Sequence, residues 1–128
     1  MEKFIQTKTD KTPSILLDAK EGLIEIKGRS IPENSVTFYM PMFEWLREYS
    51  EAANKQTTVH IQFEYYNTDT SRCILELMKR LNIISEKGSQ VVLNWYYEEG
   101  DQDMLEAGED YKSMVKGTIN FIELKNEF

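Results

Sequence analysis

Five consecutive residues, Asn67-Thr-Asp-Thr-Ser71, place three hydroxyls within a few positions of one another, directly after the aromatic pair Tyr65-Tyr66. The chain before them alternates like a strand, and the chain after them has helical periodicity. Thr68, Thr70 and Ser71 therefore fall where free backbone N–H groups and the positive end of a helix dipole converge. A phosphoryl group is well stabilised in such a place. The same residue types are also ordinary helix caps. Composition alone leaves the cap and the modification site both open, and does not choose among the three hydroxyls. Arg72, at the helix start, is placed to pair with a phosphate or with a partner.

Other chemistry finds less support. His60 is the only histidine and Cys73 the only cysteine, so neither a Ser–His–Asp nor a Cys–His arrangement has the residues to build alternatives. His60 falls on the polar face of its strand and reads as a surface imidazole. Cys73, just inside a helix start, reads as a buried thiol. No glycine-rich phosphate loop occurs. The acidic run Glu98, Glu99, Asp101, Asp103, Glu106, Glu109 and Asp110 fails calcium-loop spacing, because Leu105 stands where an oxygen ligand is needed. It reads as a solvated face with its carboxylates near a helix N-terminus. Neither a metal site, a cofactor site nor catalysis is expected.

The elements that must position the hydroxyl turn follow from periodicity. Strands are expected over Phe4 to Thr7, Ser14 to Asp18 and Leu23 to Lys27, the last two joined by a hairpin loop in which Gly22 takes the awkward dihedral. A first helix runs from a cap at Asn34 or Ser35 to about Ala53, with Pro41 as a kink or restart. Thr57 to Tyr65 is the clearest strand, with Val59, Ile61, Phe63 and Tyr65 on one face. The second helix aligns Ile74, Leu77, Met78, Leu81 and Ile84 and stops at Lys87-Gly88. A strand over Gln90 to Tyr97, a helix over Met104 to Val115 and a strand over Thr118 to Lys125 complete the order β-β-β-α-β-α-β-α-β. Alternating strands and helices in the second half imply right-handed parallel crossovers. Polar residues on one face of the Thr57–Tyr65 strand place the helices mainly on the other. The expected fold is a two-layer α/β sandwich with a mixed sheet. The apolar arc of the first helix is unusually wide. Phe38, Met42, Trp45 and Tyr49 lie at one edge of it and form a partner-binding patch if they stay exposed.

The 128 residues suit one domain, spanning 1–128, with a core that needs no disulfide. A net charge of −7 argues against nucleic acid or an anionic membrane as partner. No apolar run is long enough for membrane insertion, no signal peptide opens the chain, and a single cysteine suits the cytoplasm.

Tyr65-Tyr66-Asn67-Thr68-Asp69-Thr70-Ser71, followed by Cys73-Ile-Leu75, resembles the core motif of the SiaC-type bacterial regulatory phosphoproteins. Thr12-Pro-Ser-Ile, Phe38-Tyr-Met-Pro-Met-Phe-Glu-Trp-Leu46 and Val92-Leu-Asn-Trp-Tyr-Tyr-Glu-Glu99 with Asp101 to Asp103 extend the similarity along essentially the whole chain. The resemblance implies a STAS-like fold, akin to anti-sigma-factor antagonists. It implies a phosphoacceptor threonine, Thr68 here, modified by a partner kinase and reset by a PP2C-type phosphatase. It also implies that the unphosphorylated form binds and activates a diguanylate cyclase. The expected protein is a non-enzymatic partner switch, with Tyr65, Tyr66, Asn67, Asp69, Thr70, Ser71, Arg72, Phe38, Met42 and Trp45 meeting the partner. The alternative is a small acidic chaperone or secretion adaptor indifferent to phosphorylation.

Overall fold

The computed structural model describes residues 1–125, and the fold over these is a mixed six-stranded sheet carrying three helices. Strands β1 (Phe4–Gln6), β2 (Ser14–Asp18) and β3 (Leu23–Ser30) form an antiparallel meander. Helix α1 (Ser35–Ser50) leads to β4 (Gln56–Tyr66), α2 (Thr68–Glu86) to β5 (Gln90–Glu98), and α3 (Gln102–Lys112) to β6 (Thr118–Leu124). The strands lie side by side in chain order, and β3, β4, β5 and β6 are mutually parallel. Each crossover steps the same way across the sheet. With the usual right-handed crossover, that puts all three helices on one face. It also brings the N-termini of α1, α2 and α3 to a common edge, beyond the C-terminal ends of the parallel strands.

The core lies between the helices and that face. Ile24, Ile26, Val59, Ile61, Leu93 and Trp95 of the sheet meet Leu46, Leu77, Met78 and Leu81, all fully buried. Helix α3 approaches β5 closely at Gly108. A Cβ there would lie 2.5 Å from Trp95 Cδ1, and the Trp95 indole N–H donates to the Met104 carbonyl at 2.9 Å. The opposite sheet face carries no helix among the described residues and shows half-buried Thr58, His60, Gln62 and Asn94. His60 sits there as expected, its Nδ1 2.9 Å from the Tyr96 hydroxyl.

Gly22 has φ +64° in the β2–β3 turn, as the hairpin reading requires. Other expectations are corrected. Helix α1 ends at Ser50 and passes through Pro41 without a restart. Met42 and Trp45 are only 2% and 8% exposed, Tyr49 is equally inaccessible, and Phe38 is half-buried against them. Trp45 stacks on Tyr49 at 5.0 Å and donates its indole N–H to the Glu2 carbonyl. The wide apolar arc of α1 is thus consumed by core packing and by the N-terminal segment, so Met42 and Trp45 offer no partner surface. Tyr65 is corrected as well. The β3–β4 register slips at Gly28/Arg29, so that Gly28 pairs with Phe63 but Arg29 with Tyr65. Glu64 is the extra residue, and the alternation reverses after it. Tyr65 therefore turns outward, 52% exposed, while Tyr66 turns toward Phe63 with ring centroids 5.2 Å apart.

Candidate functional site

Helix α2 begins one residue after β4 ends, and Asn67 makes the junction. Its side-chain Oδ1 accepts from the Thr70 amide at 2.9 Å, and its carbonyl accepts from the Ser71 amide at 3.1 Å. The amides of Thr68 and Asp69 have no carbonyl four residues back within the helix and open toward the common edge. Thr68 is the first helical residue, and its side chain is exposed. Asn67 is thus the cap, and Thr68 is free of capping duty.

The other two hydroxyls are engaged. Thr70 is fully buried. Its Oγ1 donates to the Ser30 carbonyl at 3.1 Å and lies 2.8 Å from Ser30 Oγ and 3.5 Å from Ser35 Oγ. Ser30 Oγ in turn lies 2.6 Å from the Tyr39 hydroxyl. This chain of hydroxyls pins the start of α2 to the end of β3 and to the first turns of α1. Burial pushes the Tyr39 phenol far above its ordinary value, with the Ser30 hydrogen bond opposing and Cys73 adding to the rise. Tyr39 therefore keeps its phenolic proton at any physiological pH. Ser71 returns its hydroxyl to the Thr68 carbonyl at 2.5 Å. Thr70, expected at the partner surface, is instead a buried anchor. No sequence pattern paired it with Ser30, Ser35 and Tyr39, 31 to 40 positions earlier in the chain.

Two depressions flank the turn. The larger, about 510 Å³, is lined by Glu33, Ser35, Val36 and Phe43 from the α1 side and by Asp69, Arg72, Cys73 and Glu76 from α2. The smaller, about 220 Å³, is lined by Glu64, Tyr65, Tyr66, Asp101, Asp103 and Met104. Carboxylates stand on both rims: Glu33, Asp69 and Glu76 on the larger, Glu64, Asp101 and Asp103 on the smaller. Arg72 reaches Asp69 only at 4.0 Å, and both are mostly solvated, so the pair holds neither in place. Arg29 sits 5.9 Å from the centre of the Tyr65 ring. Cys73 closes the floor of the larger depression. Burial, with Asp69 and Glu76 nearby, pushes its thiol above the ordinary value, so it is an unreactive lining group. Burial likewise raises the phenols of Tyr66 and Tyr111. Among the described residues no group of three or more His, Cys, Asp or Glu side chains is arranged to hold a metal ion, and no helix is long and apolar enough to cross a membrane.

The geometry is that of a hydroxyl displayed beside two open surfaces, with no acid, base and nucleophile converging there among the described residues. Comparison with known proteins supplies the family and the fold. The family model described as SiaC family regulatory phosphoprotein matches residues 6–124. The protein PA14_02130 of Pseudomonas aeruginosa (strain UCBPP-PA14) is 23% identical over 104 residues, 81% of this chain and 82% of that one. Apo-SiaC from Pseudomonas aeruginosa superimposes with a TM-score of 0.87 at 20% identity, covering 95% of this chain and 99% of that one. SiaC in its complex with the diguanylate cyclase SiaD, which it activates, superimposes at 0.88 and 20% identity, covering 94% and 99% of the two chains. These structures share the fold.

Proposed function

This chain belongs to the SiaC family of regulatory phosphoproteins, and from that premise we propose that it is a non-enzymatic cytoplasmic switch gated by phosphorylation of Thr68. A partner kinase adds the phosphoryl group and a PP2C-type phosphatase removes it. The unphosphorylated form binds and activates its target, for which a diguanylate cyclase is the leading class, since SiaC of Pseudomonas aeruginosa activates one.

The observation that carries this reading is the division of labour among the three hydroxyls. Thr70 is buried and Ser71 is turned back on the helix, whereas Thr68 is exposed at the first position of α2. A kinase can reach Thr68 without unfolding anything. Phosphate adds about −1.5 to −2 charge, and the helix N-terminus tolerates it. A partner covering Tyr65 and the first turn of α2 meets a bulky dianion among Glu64, Asp69, Asp101 and Asp103. A penalty of ~3–4 kcal/mol there lowers affinity several hundredfold.

Incubation with the pathway kinase and ATP, read by intact mass and peptide mapping, tests the site. One phosphoryl group is expected on wild type and on Ser71→Ala, and none on Thr68→Ala. Full phosphorylation of Thr68→Ala refutes the assignment. Target binding that ignores Thr68→Glu and phosphorylation alike refutes the gating and favours a phosphorylation-independent adaptor.

A further inference from the structure

A third depression, of about 520 Å³, opens at the C-terminal ends of β3 and β4, beside the loop that joins β1 to β2. Lys8 and Lys11 line it from the loop and Arg29 from β3, and Ile31 adds an apolar wall. The loop is firmly held. Thr9 Oγ1 accepts from the amides of Lys11 and Thr12 at 3.2 and 3.0 Å, and the Ile31 amide donates to the Lys11 carbonyl at 2.8 Å. Gly28 lets it come close, since a Cβ there would lie 3.4 Å from Pro13 Cα and 3.6 Å from the Lys8 stem. The loop that carries both lysines is thus fixed against β3 before any ligand arrives.

Charge sets this hollow apart. Its three cations outnumber the carboxylates of Asp10 and Glu64, on a chain of net charge −7. The two depressions beside the hydroxyl turn have the opposite excess. Lys8 meets Glu64 only at 3.8 Å, with both side chains about half exposed, so that pair opens at little cost. Among the described residues Lys11 and Arg29 have no ion-pair partner. Arg29 instead lies 5.9 Å from the centre of the Tyr65 ring, a contact that leaves the edge of its guanidinium to meet a carboxylate. We propose that the hollow is a docking site for an acidic segment of a partner protein, with Arg29, Lys8 and Lys11 each taking a carboxylate. A single compact dianion placed among the cations would also crowd Asp10 and Glu64, whereas carboxylates spaced along a chain meet the cations one at a time. The net negative charge of the rest of the chain repels such a segment, which restricts where it can land. The inference rests on the reading of the chain as a binding protein but not on modification of Thr68, which does not line the hollow.

The test uses the unphosphorylated full chain, isotope-labelled, and a synthetic peptide with glutamates spaced along serine and glycine. Titration followed by NMR should show saturable binding with a Kd of about 100 µM at low salt, with shifts centred on Lys8, Lys11 and Arg29. Lys8→Glu combined with Lys11→Glu, and Arg29→Glu alone, should each weaken it about tenfold or more. Lys20→Glu combined with Lys55→Glu makes the same change of charge on exposed residues at the other end of the sheet, and should keep most of the affinity. Circular dichroism verifies that each variant keeps its fold, and the loop pair decides if Arg29→Glu does not. Equal weakening by both lysine pairs overturns the proposal, as does equal binding of a peptide with glutamine in place of glutamate. Tighter binding of inorganic pyrophosphate than of the peptide also overturns it, because the ligand is then a free phosphoanion. Any of these results leaves the mass-spectrometric assignment of Thr68 standing.

Discussion

Replacing Thr70 by valine separates a buried anchor from an exposed hydroxyl. Valine has nearly the shape of threonine, so the substitution leaves no cavity and keeps the β-branch. It removes one hydroxyl from a fully buried site. Two short contacts disappear, to Ser30 Oγ at 2.8 Å and to the Ser30 carbonyl at 3.1 Å. The Ser30 carbonyl keeps the Asn67 amide at 3.2 Å and Ser30 Oγ keeps Tyr39, so neither group is wholly orphaned. With about 1 kcal/mol per bond and a penalty for the weakened buried acceptors, the cost is ~2 kcal/mol. For a chain of this length one kcal/mol is about 4 °C in Tm, so Thr70→Val should melt about 8 °C below wild type. Thr68→Val makes the identical chemical change two residues earlier on an exposed side chain, and should stay within ~0.5 kcal/mol. Thermal unfolding followed by circular dichroism gives both numbers. Thr70→Ser keeps the hydroxyl and should recover most of the loss. If Thr70→Val melts with wild type, or if Thr68→Val falls as far, the division of labour among the hydroxyls is wrong.

Removing the cap with Asn67→Ala strips the Thr70 amide of its 2.9 Å acceptor and should cost ~1 kcal/mol, read as a lower urea midpoint at constant m. Gly108→Ala drives a methyl against the Trp95 ring, 2.5 Å away. It should cost ~1–3 kcal/mol and shift the tryptophan emission. Alkaline pH should erode stability. Cys73, Tyr39 and Tyr111 all hold their protons above the ordinary 9.0 and 10.0 because burial disfavours their anions. Their contribution is therefore complete below pH 9.0 and drains away as the pH climbs past both values, because the unfolded chain releases those protons first. A Tm that stays flat to pH 11 contradicts that burial. Ellman's reagent should leave Cys73 untouched in the folded chain at pH 8 and react fully in denaturant.

Much of the architecture is legible in periodicity because each element buries a single face. The alternation of β4 and the Ile74–Ile84 stripe of α2 are enough to put helices on one side of a parallel sheet. Tyr65 shows where this stops. Strict alternation extends its inward face from Phe63 to Tyr65, but the slip opposite Gly28 inserts Glu64 and turns the next two residues over. A bulge depends on the neighbouring strand, and Gly28, with φ +121°, was its only trace within one strand. The α1 patch fails for a similar reason. Helical spacing shows that Met42 and Trp45 share an edge of the arc, but not that the N-terminal segment reaches round to cover it through the Trp45–Glu2 bond.

The hydroxyl turn is the instructive case, because helix geometry contains more of the answer than composition does. Counting back four from Ile74 and seven from Leu77 lands on Thr70, so the apolar stripe of α2 extends to a threonine before the helix begins to expose its end. Thr68 lies about 200° around the axis from Thr70 and cannot share its burial. Periodicity alone therefore argues that Thr70 faces inward and Thr68 does not. What it cannot supply is the reason a hydroxyl is tolerated on a buried stripe, since an unpaired one would cost several kcal/mol. That reason is Ser30, a residue of another strand 40 positions away. The two threonines of one turn thus have opposite surroundings for one physical cause: the hydroxyl that finds a buried partner fixes the loop, and the other stays at the surface.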